Sequence, residues 1–337
     1  MTGPTRVTRP AGLTGGPGAD DIEVRPATEA DLADCERVWR DGLNDYLRRL
    51  NQLEIPPDNP GLQRLHAHTL ATDPDRFLVA TRPAGTGAHA TARVVAFGSA
   101  VQRGPLWFLS MLFVDPAEQA RGLGRRLLND LRAPNGPRPA SGMRAAAGPV
   151  LATVTDSAQP ISNGLYASLG MVPRMPLINL VGRPRDGWTP PPLPAGIAAV
   201  RLADDEATGA ELAALDIELL GFAHPADHAF ARRERPSVFG YRAANGDLVG
   251  YGYTSPVGRI GPIAVQDEAL MGPVLGHLLT EVAPRGASAI WLPGGAGDAI
   301  SAALAAGLRF EDFPLLLCWS RPFADFERYV PISPGLL

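Results

Sequence analysis

The pattern of apolar and polar positions predicts strands alternating with helices. Short apolar runs predict strands at residues 22–26, 77–81, 94–102, 107–114, 150–155 and 177–181. Apolar residues recurring every three or four positions predict helices that begin near residues 27, 59, 123 and 160. Thr28, followed three residues later by Asp31, is a typical start for the first helix. Strands and helices that alternate in this way indicate an α/β fold.

The second part of the chain repeats this order. Residues 197–204 resemble 22–28. A Pro-Leu motif followed by Arg-Pro occurs with the same spacing in Pro314–Pro322 and in Pro176–Pro184. The two copies lie 176 residues apart at their starts (201 − 25) but 138 apart at their ends (322 − 184), so the second is shorter. We predict a disordered leader at 1–20, a first domain at 21–182, a Pro-rich linker at 183–196 and a second domain at 197–337.

Composition excludes several classes of function. The chain has 337 residues, a net charge of −4 and a pI near 5.9, which argue against nucleic acid or an anionic membrane as the main partner. Its two cysteines, Cys35 and Cys318, give neither a disulfide framework nor metal-ligand spacing, as expected in a reducing cytoplasm. All 31 basic residues are arginine, so chemistry that needs a lysine is excluded.

One stretch carries a candidate anion-binding loop. An apolar strand at 109–114 leads through Asp115-Pro116 to Gln119–Gly124 and then to a helix whose leucines share one face. Gly122 and Gly124 leave room for a ligand to approach the backbone, and the start of the helix adds its positive end. This context predicts a pyrophosphate-binding loop.

The loop pattern by itself has low specificity, since about one chance match is expected in a chain of this composition. A second match at Arg82–Gly87 contains a proline and begins no amphipathic helix, so we interpret it as a hairpin loop. Pro, Gly and Ala dominate residues 132–148, which we interpret as a long, mobile surface loop.

Two motifs together carry a resemblance to a known family. Gln119, Gly122 and Gly124 match the cofactor motif of the GCN5-related N-acetyltransferases (GNATs), and Leu165–Met171, with Tyr166 before Gly170, matches a later helix motif. Both halves of the chain resemble the GNAT fold in tandem. The resemblance implies two domains, each a mixed, mostly antiparallel central sheet flanked by helices, with acetyl-CoA in a gap between the fourth and fifth strands.

The resemblance also implies roles for individual residues. Tyr166 would donate a proton to the CoA sulfur, although a core aromatic would give the same pattern. The remaining catalytic candidates are Ser110 and Asp156. The cofactor-binding candidates are Leu112, Phe113, Val114, Gln119, Ala120, Arg121, Gly122, Leu123, Gly124, Arg125 and Gln159.

The general base is where the chain departs from the family pattern. Many relatives carry a carboxylate on the fourth strand, where this chain has Ser110 and Met111. Asp156, Glu54 or Asp45 could act through water, although each also suits a surface position. His66 and His68 lie at alternate positions of a helix and cannot share a face, so we expect solvated side chains.

The second domain is predicted to be degenerate. Its equivalent turn, within 263–272, has Asp267 and Glu268 but no Gly-x-Gly, and the tyrosine position falls near Ala303. Glycines and a proline at 258–262, where the next strand begins, mean that weak cofactor binding by the second domain stays an open alternative. Residues 221–228 include His224, Asp227 and His228, which suggest either a metal site or a capped loop; without an evident fourth ligand we favour the loop and predict no metal. An aromatic tail at 323–329 is expected to pack against a domain.

The sequence thus predicts an acyltransferase that moves an acetyl group from acetyl-CoA to a primary amine of a small molecule, by direct attack in a ternary complex. The alternatives are a non-catalytic acyl-CoA sensor or scaffold and a protein N-terminal acetyltransferase. We expect a cytoplasmic monomer or homodimer that binds neither nucleic acid nor membranes.

Overall fold

The structure, a computed structural model, describes residues 22–84, 91–132, 148–281, 283, 285–311 and 313–337. The leader predicted at 1–20 and all but the ends of the predicted loop at 132–148 lie outside these residues. Both stay predictions. Residues 85–87 of the predicted hairpin loop also lie outside, but the strands on either side of it pair antiparallel, as a hairpin requires.

The described residues of the first half form six strands and four α-helices in the predicted order. The strands are β1 (Glu23–Pro26), β2 (Phe77–Ala84), β3 (Thr91–Arg103), β4 (Leu106–Val114), β5 (Val150–Asp156) and β6 (Val172–Gly182). The helices are α1 (Leu32–Arg49), α2 (Pro60–Thr72), α3 (Leu123–Arg132) and α4 (Pro160–Ala167). Thr28 and Asp31 form the predicted capping box, and Asn59 caps α2 by accepting a hydrogen bond from the Leu62 N–H.

The second half repeats this order with one helix that the sequence did not predict. Its strands are β7 (Ile197–Arg201), β8 (Ser237–Ala243), β9 (Leu248–Thr254), β10 (Ile260–Val265), β11 (Ser288–Pro293), β12 (Arg309–Phe310), β13 (Leu315–Trp319) and β14 (Tyr329–Val330). Its helices are α5 (Glu206–Leu220), α6 (Pro225–Glu234), α7 (Met271–Glu281) and α8 (Gly297–Ala306). The capped loop expected at 221–228 is therefore wrong in part, because Pro225 begins α6 at a position where a missing N–H costs nothing.

Two sheets organise the chain, and they confirm a mixed, mostly antiparallel architecture. The larger has the order β1-β2-β3-β4-β5-β13-β6-β11, with β12 also paired to β6. The smaller has the order β14-β10-β9-β8-β7. Among the strands that the structure describes, only the β4–β5 pair is parallel.

The two halves exchange their last strands. β13 lies between β5 and the first part of β6, while the second part of β6 lies between β11 and β12. Leu177 and Leu315 hold the same position in the repeated Pro-Leu motif and pair directly with each other. A local two-fold relation between the halves therefore passes through this pair. The predicted domain bounds stay predictions, but neither half has a complete sheet of its own.

Both histidines of α2 are buried, so the prediction of solvated side chains was wrong. His66 is 1% exposed and packs edge-on against Phe77 and Phe97 of the sheet. His68, on the other side of the helix, is 6% exposed and lies 2.8 Å from Asp227 of α6. The helix is covered on both faces because the second half packs against it.

We predict that His66 makes folding sensitive to acid. Burial lowers the pKa of His66 from 6.5 to about 4. Below pH 6.5 the unfolded chain takes up a proton that the folded chain accepts only near pH 4, so the free energy of unfolding falls across this interval, by about 3 kcal/mol. Urea denaturation at pH 7 and pH 4 should show a smaller acid loss in His66→Leu than in the wild type. An equal fall in the free energy of unfolding in the two proteins would show that His66 is not the source of the acid sensitivity.

Candidate active site

A bulge in β4 marks the site. Ser99 of β3 pairs with Met111 and Ala100 pairs with Leu109, so Ser110 has no pairing partner on β3. The side chains of Ser110 and Met111 both lie close to Gly335, which places two successive residues on one face of the strand. An extra residue of this kind bends the strand and interrupts its ladder.

Beyond the bulge, β4 and β5 separate. Their parallel pairing joins Leu106–Leu109 to Val150–Thr153 and ends there, where the Thr153 hydroxyl donates to the Leu109 carbonyl at 2.9 Å. From Ser110 onward, the edge of β4 that faces β5 has no strand partner among the described residues. The predicted cofactor residues Leu112, Phe113 and Val114 lie on this stretch. A free strand edge offers backbone donors and acceptors to an extended ligand.

The loop after β4 has two left-handed residues directly before a helix, an arrangement that suits an anion-binding nest. Ala120 and Gly122 adopt left-handed backbone angles, with φ of 62° and 80°. The helix α3 begins immediately afterwards, at Leu123, and the Arg126 N–H donates to the Gly122 carbonyl at 3.0 Å. Left-handed residues can turn neighbouring N–H groups to one side, and the helix start adds partial positive charge.

Side chains support this loop from both ends. Gln119 donates to the Val114 carbonyl at 3.1 Å, which ties the loop to the open strand edge. Leu123 is buried with the other leucines of α3, whereas Arg121 and Arg125 are exposed. Glu118, the acid beside the loop, is paired with Arg82 and Arg121 at 3.0 and 3.1 Å. Its charge is therefore compensated by two arginines.

Tyr166 lies on α4 with a buried ring and an unbonded hydroxyl. The residue is 6% exposed and belongs to the buried cluster that contains Leu109, Leu151 and Cys318. Among the described residues, none forms a hydrogen bond with the Tyr166 hydroxyl. Burial raises the pKa of Tyr166 above its usual 10, so the phenol keeps its proton at neutral pH. The ring is thus the core aromatic of the simpler interpretation, while the hydroxyl remains free to donate.

The other predicted catalytic residues have different surroundings. Asp156, at the end of β5, accepts hydrogen bonds from the Tyr46 hydroxyl at 2.5 Å and the Ala158 N–H at 2.8 Å. Ser110 donates to the Gly335 carbonyl at 2.6 Å and is 8% exposed. Its hydroxyl is occupied and covered, so the arrangement does not support Ser110 as a catalytic group.

The remaining candidates form contacts close to their own positions in the chain. Gln159 precedes α4, and its carbonyl accepts from the Asn163 amide at 2.7 Å. Glu54 and Asp45 form ion pairs with Arg48 and Arg49 at the end of α1. The two acids fit the alternative that the sequence left open, that of surface groups.

The equivalent strand edge in the second half is closed by the chain itself. β14 pairs with β10 at Ile263 and Ala264, and a single bridge, from Arg259 to Ala289, joins this region to β11. The turn after β10 is capped by its own Asp267, which accepts from the Ala269 N–H at 3.0 Å. Phe326 and Tyr329 are buried, which confirms the predicted packing of the aromatic tail.

The whole chain is similar to several solved structures. A protein from Pyrococcus horikoshii, named for a proposed acetyltransferase activity, covers 96% of this chain and 99% of its own at a TM-score of 0.66 and 17% identity. A GCN5-related N-acetyltransferase from Sphaerobacter thermophilus covers 92% of this chain and 99% of its own, at a TM-score of 0.58 and 16% identity. A tandem GNAT protein from the clavulanic acid biosynthesis pathway covers 89% of this chain and 99% of its own, at a TM-score of 0.52 and 17% identity. The chain has a tandem GNAT fold.

Sequence comparison adds nothing to this assignment. No protein-family model matches the chain, and no curated protein matches it. At 16–17% identity, the solved structures establish the fold alone. In the part of the chain that the structure describes, no helix has both the length and the apolar character needed to cross a membrane.

Proposed function

We propose that this tandem GNAT protein transfers an acetyl group from acetyl-CoA to the primary amine of a small molecule, by direct attack in a ternary complex. The observation that carries the proposal is the open edge of β4, which begins at the bulge at Ser110 and is followed, after a short turn at Pro116–Glu118, by the nest at Ala120–Leu123. Strand edge and nest together suit a ligand with an amide-containing arm and a pyrophosphate.

Backbone groups and arginines would hold the donor. The pyrophosphate would lie on the N–H groups of residues 119–125, beside Arg121 and Arg125, in a chain that has no lysine to offer. The pantetheine arm would pair with the edge at Leu112–Val114. A backbone N–H near the bulge would then stabilise the negative oxygen that forms when the thioester carbonyl is attacked.

Two proton transfers complete the reaction. The amine nitrogen attacks the thioester carbon, the new C–N bond forms, and the C–S bond breaks as the tetrahedral intermediate collapses. Tyr166 would give its proton to the departing thiolate. Asp156, held by Tyr46, would accept the proton that the amine loses, directly or through a water molecule.

The tail of the second half favours a small acceptor over a peptide. Residues near Gly335 cover β4 on the face that carries Ser110 and Met111, and Leu336 and Leu337 are buried. The leucines of α3 pack with Leu109 and Leu112 on the other face of β4, and we place the approaching acceptor on the face that the tail covers. Chain packed here leaves less space for a polypeptide. A protein N-terminal acetyltransferase remains the second enzymatic candidate.

The sensor or scaffold alternative draws on one specific observation. No carboxylate occupies the bulge of β4, and the hydroxyl that lies there is bonded to Gly335. A protein that binds acyl-CoA without turnover would need no base at this position. The two functions differ in whether thiol is released when an amine is added.

We predict that Gly122→Asp weakens CoA binding at least about tenfold, because the new side chain and its charge would enter the nest. Gly187→Asp is the matched control: Gly187 is also exposed, has positive φ (76°) and has open space where a Cβ would lie, but it belongs to the linker. Isothermal titration calorimetry should give one CoA per chain for the wild type and for Gly187→Asp. Equal affinity in both variants would contradict the site.

We predict that Tyr166→Phe lowers kcat about 100-fold or more while leaving the affinity for acetyl-CoA within a few-fold of the wild type, as expected for loss of a general acid. Thiol release with a panel of small amines measures kcat. An unchanged kcat would remove Tyr166 from the mechanism. Intact CoA binding without thiol release for any amine would favour the sensor.

We predict that Asp156→Asn lowers kcat/KM at neutral pH and recovers part of the loss as the pH rises, because a larger fraction of the amine is then already deprotonated. The ratio of variant to wild-type kcat/KM, measured from pH 7 to pH 9.5 with one amine, checks this. A ratio that does not change with pH would instead indicate a purely structural role for Asp156.

A further inference from the structure

A cluster of polar side chains lies buried in the second half, away from the proposed acetyl-transfer site. Asp216 of α5 is 0% exposed, and His224 and His228, at the start of α6, are 2% and 7% exposed. Three tyrosines of β9 and β14 surround them: Tyr251, Tyr253 and Tyr329. The sequence prediction considered Asp227 as the carboxylate of such a group, but the structure brings Asp216 to the histidines instead.

Three potential ligand atoms of this cluster converge. The Asp216 Oδ2 atom lies 2.7 Å from His228 Nε2 and 3.3 Å from His224 Nε2, and all three atoms lie within 4.8 Å of one another. Zinc binds histidine nitrogen and carboxylate oxygen at about 2.0–2.2 Å, so its tetrahedral ligands lie about 3.3 Å apart. Small shifts of these side chains would place one ion between them.

The outer nitrogens of both histidines face oxygen atoms, as in many metal sites. His228 Nδ1 is hydrogen-bonded to the Tyr253 hydroxyl at 2.8 Å, and His224 Nδ1 lies 3.7 Å from Asp227 Oδ2. Metal-bound histidines usually donate their second N–H to a carboxylate, carbonyl or water, which orients the ring. Both Nε2 atoms are thereby directed towards the Asp216 carboxylate.

His224 is the residue that hydrogen bonding leaves unexplained. Neither of its ring nitrogens forms a hydrogen bond in the described part of the chain, although the residue is almost fully buried. An unsatisfied buried polar group is costly. The Tyr329 hydroxyl, on the ring that packs edge-on to His224, is also buried and unpartnered. A metal ion would give His224 Nε2 a partner and could take Tyr329 or a water as a fourth ligand.

The charge of Asp216 points the same way. The neighbouring carboxylate, Asp227, is compensated by Arg103 at 2.6 Å and is also hydrogen-bonded to His68. Asp216 has no arginine partner among the described residues; Tyr251 donates to its Oδ1 at 2.7 Å, and the two histidines face its Oδ2. A buried carboxylate without a compensating cation is unfavourable, and a divalent ion would supply the missing charge.

We propose that Asp216, His224 and His228 bind a structural zinc ion. The ion would join the end of α5 to the start of α6. Asp227, one residue before His228, contacts His68 and Arg103 of the first half. By fixing the position of α6, the ion would therefore also stabilise this contact between the two halves. This proposal is independent of the proposed acetyl transfer.

The test measures metal content in the full chain, expressed in zinc-supplemented medium and freed of any histidine tag. Mass spectrometry of metals should find about one zinc per chain in the wild type. After chelation and refolding, added Zn²⁺ should raise Tm, on the order of 5 °C. Co²⁺ in its place should give the strong visible absorption of a four-coordinate site.

His224→Ala and Asp216→Asn should each lose the zinc and its effect on Tm. The second variant keeps the shape of the side chain and an oxygen for Tyr251, so it is expected to fold if His224→Ala does not. His66→Ala is the matched control, because His66 is also buried with both ring nitrogens unpartnered but has no carboxylate partner. It should retain the zinc.

Two results would overturn the proposal. One is a wild type that holds less than about a tenth of a zinc per chain and whose Tm ignores added Zn²⁺ and Co²⁺. The other is retention of zinc by a folded Asp216→Asn or His224→Ala variant at the wild-type level. In the first case the cluster would be a hydrogen-bonded network only, and in the second the metal would lie elsewhere.

Discussion

Backbone pairing between β6 and β13 is the interaction on which the rest of the structure depends. β5 pairs with β4 over only four residues before the two strands separate, and its other neighbour is β13, which comes from the second half. One wall of the β4–β5 gap is therefore held in place by a strand from the far end of the chain. The same exchange places the second part of β6 beside β11 and β12. Such pairing makes the halves depend on each other. Without the second half, β5 and β6 would lose their partner β13, and without the first half, β11 and β13 would lose their partner β6.

The two halves differ at the equivalent strand edge, which is open in the first half and paired in the second. In the first half, β4 ends in a loop with left-handed residues at Ala120 and Gly122, and its edge stays open beyond Leu109. In the second half, β10 ends in a turn capped by Asp267, and β14 occupies the edge. The first arrangement suits the anion that the proposed function requires, whereas the turn of the second is capped by its own side chain. This difference is the physical reason for which we place the proposed donor site in the first half.

Buried polar contacts, rather than apolar packing alone, specify how the halves meet. Arg103 of β3 bridges Asp73 and Asp227, and His68 contacts the same Asp227 from α2. A buried carboxylate that lost one of these partners would keep an uncompensated charge, which is strongly destabilising. The cluster around Asp216 lies directly behind Asp227. Its two histidines and three tyrosines extend this network into the core of the second half.

The sequence alone determined the features that depend on neighbours along the chain. The capping box at Thr28, the amphipathic face of α3 and the glycines of the 119–124 loop are local, and their spacing specifies their geometry. Repetition of the Pro-Leu motif indicated two halves. Tertiary structure decided everything that joins distant segments: the strand exchange, the burial of His66 and His68, the bond from Ser110 to Gly335, and the approach of Asp216 to His224 and His228. These residues carry no local signal of their partners. Ser110 and His68 meet theirs only when the two halves pack together, whereas Asp216 meets the two histidines only when α5 and α6 fold against each other within the second half.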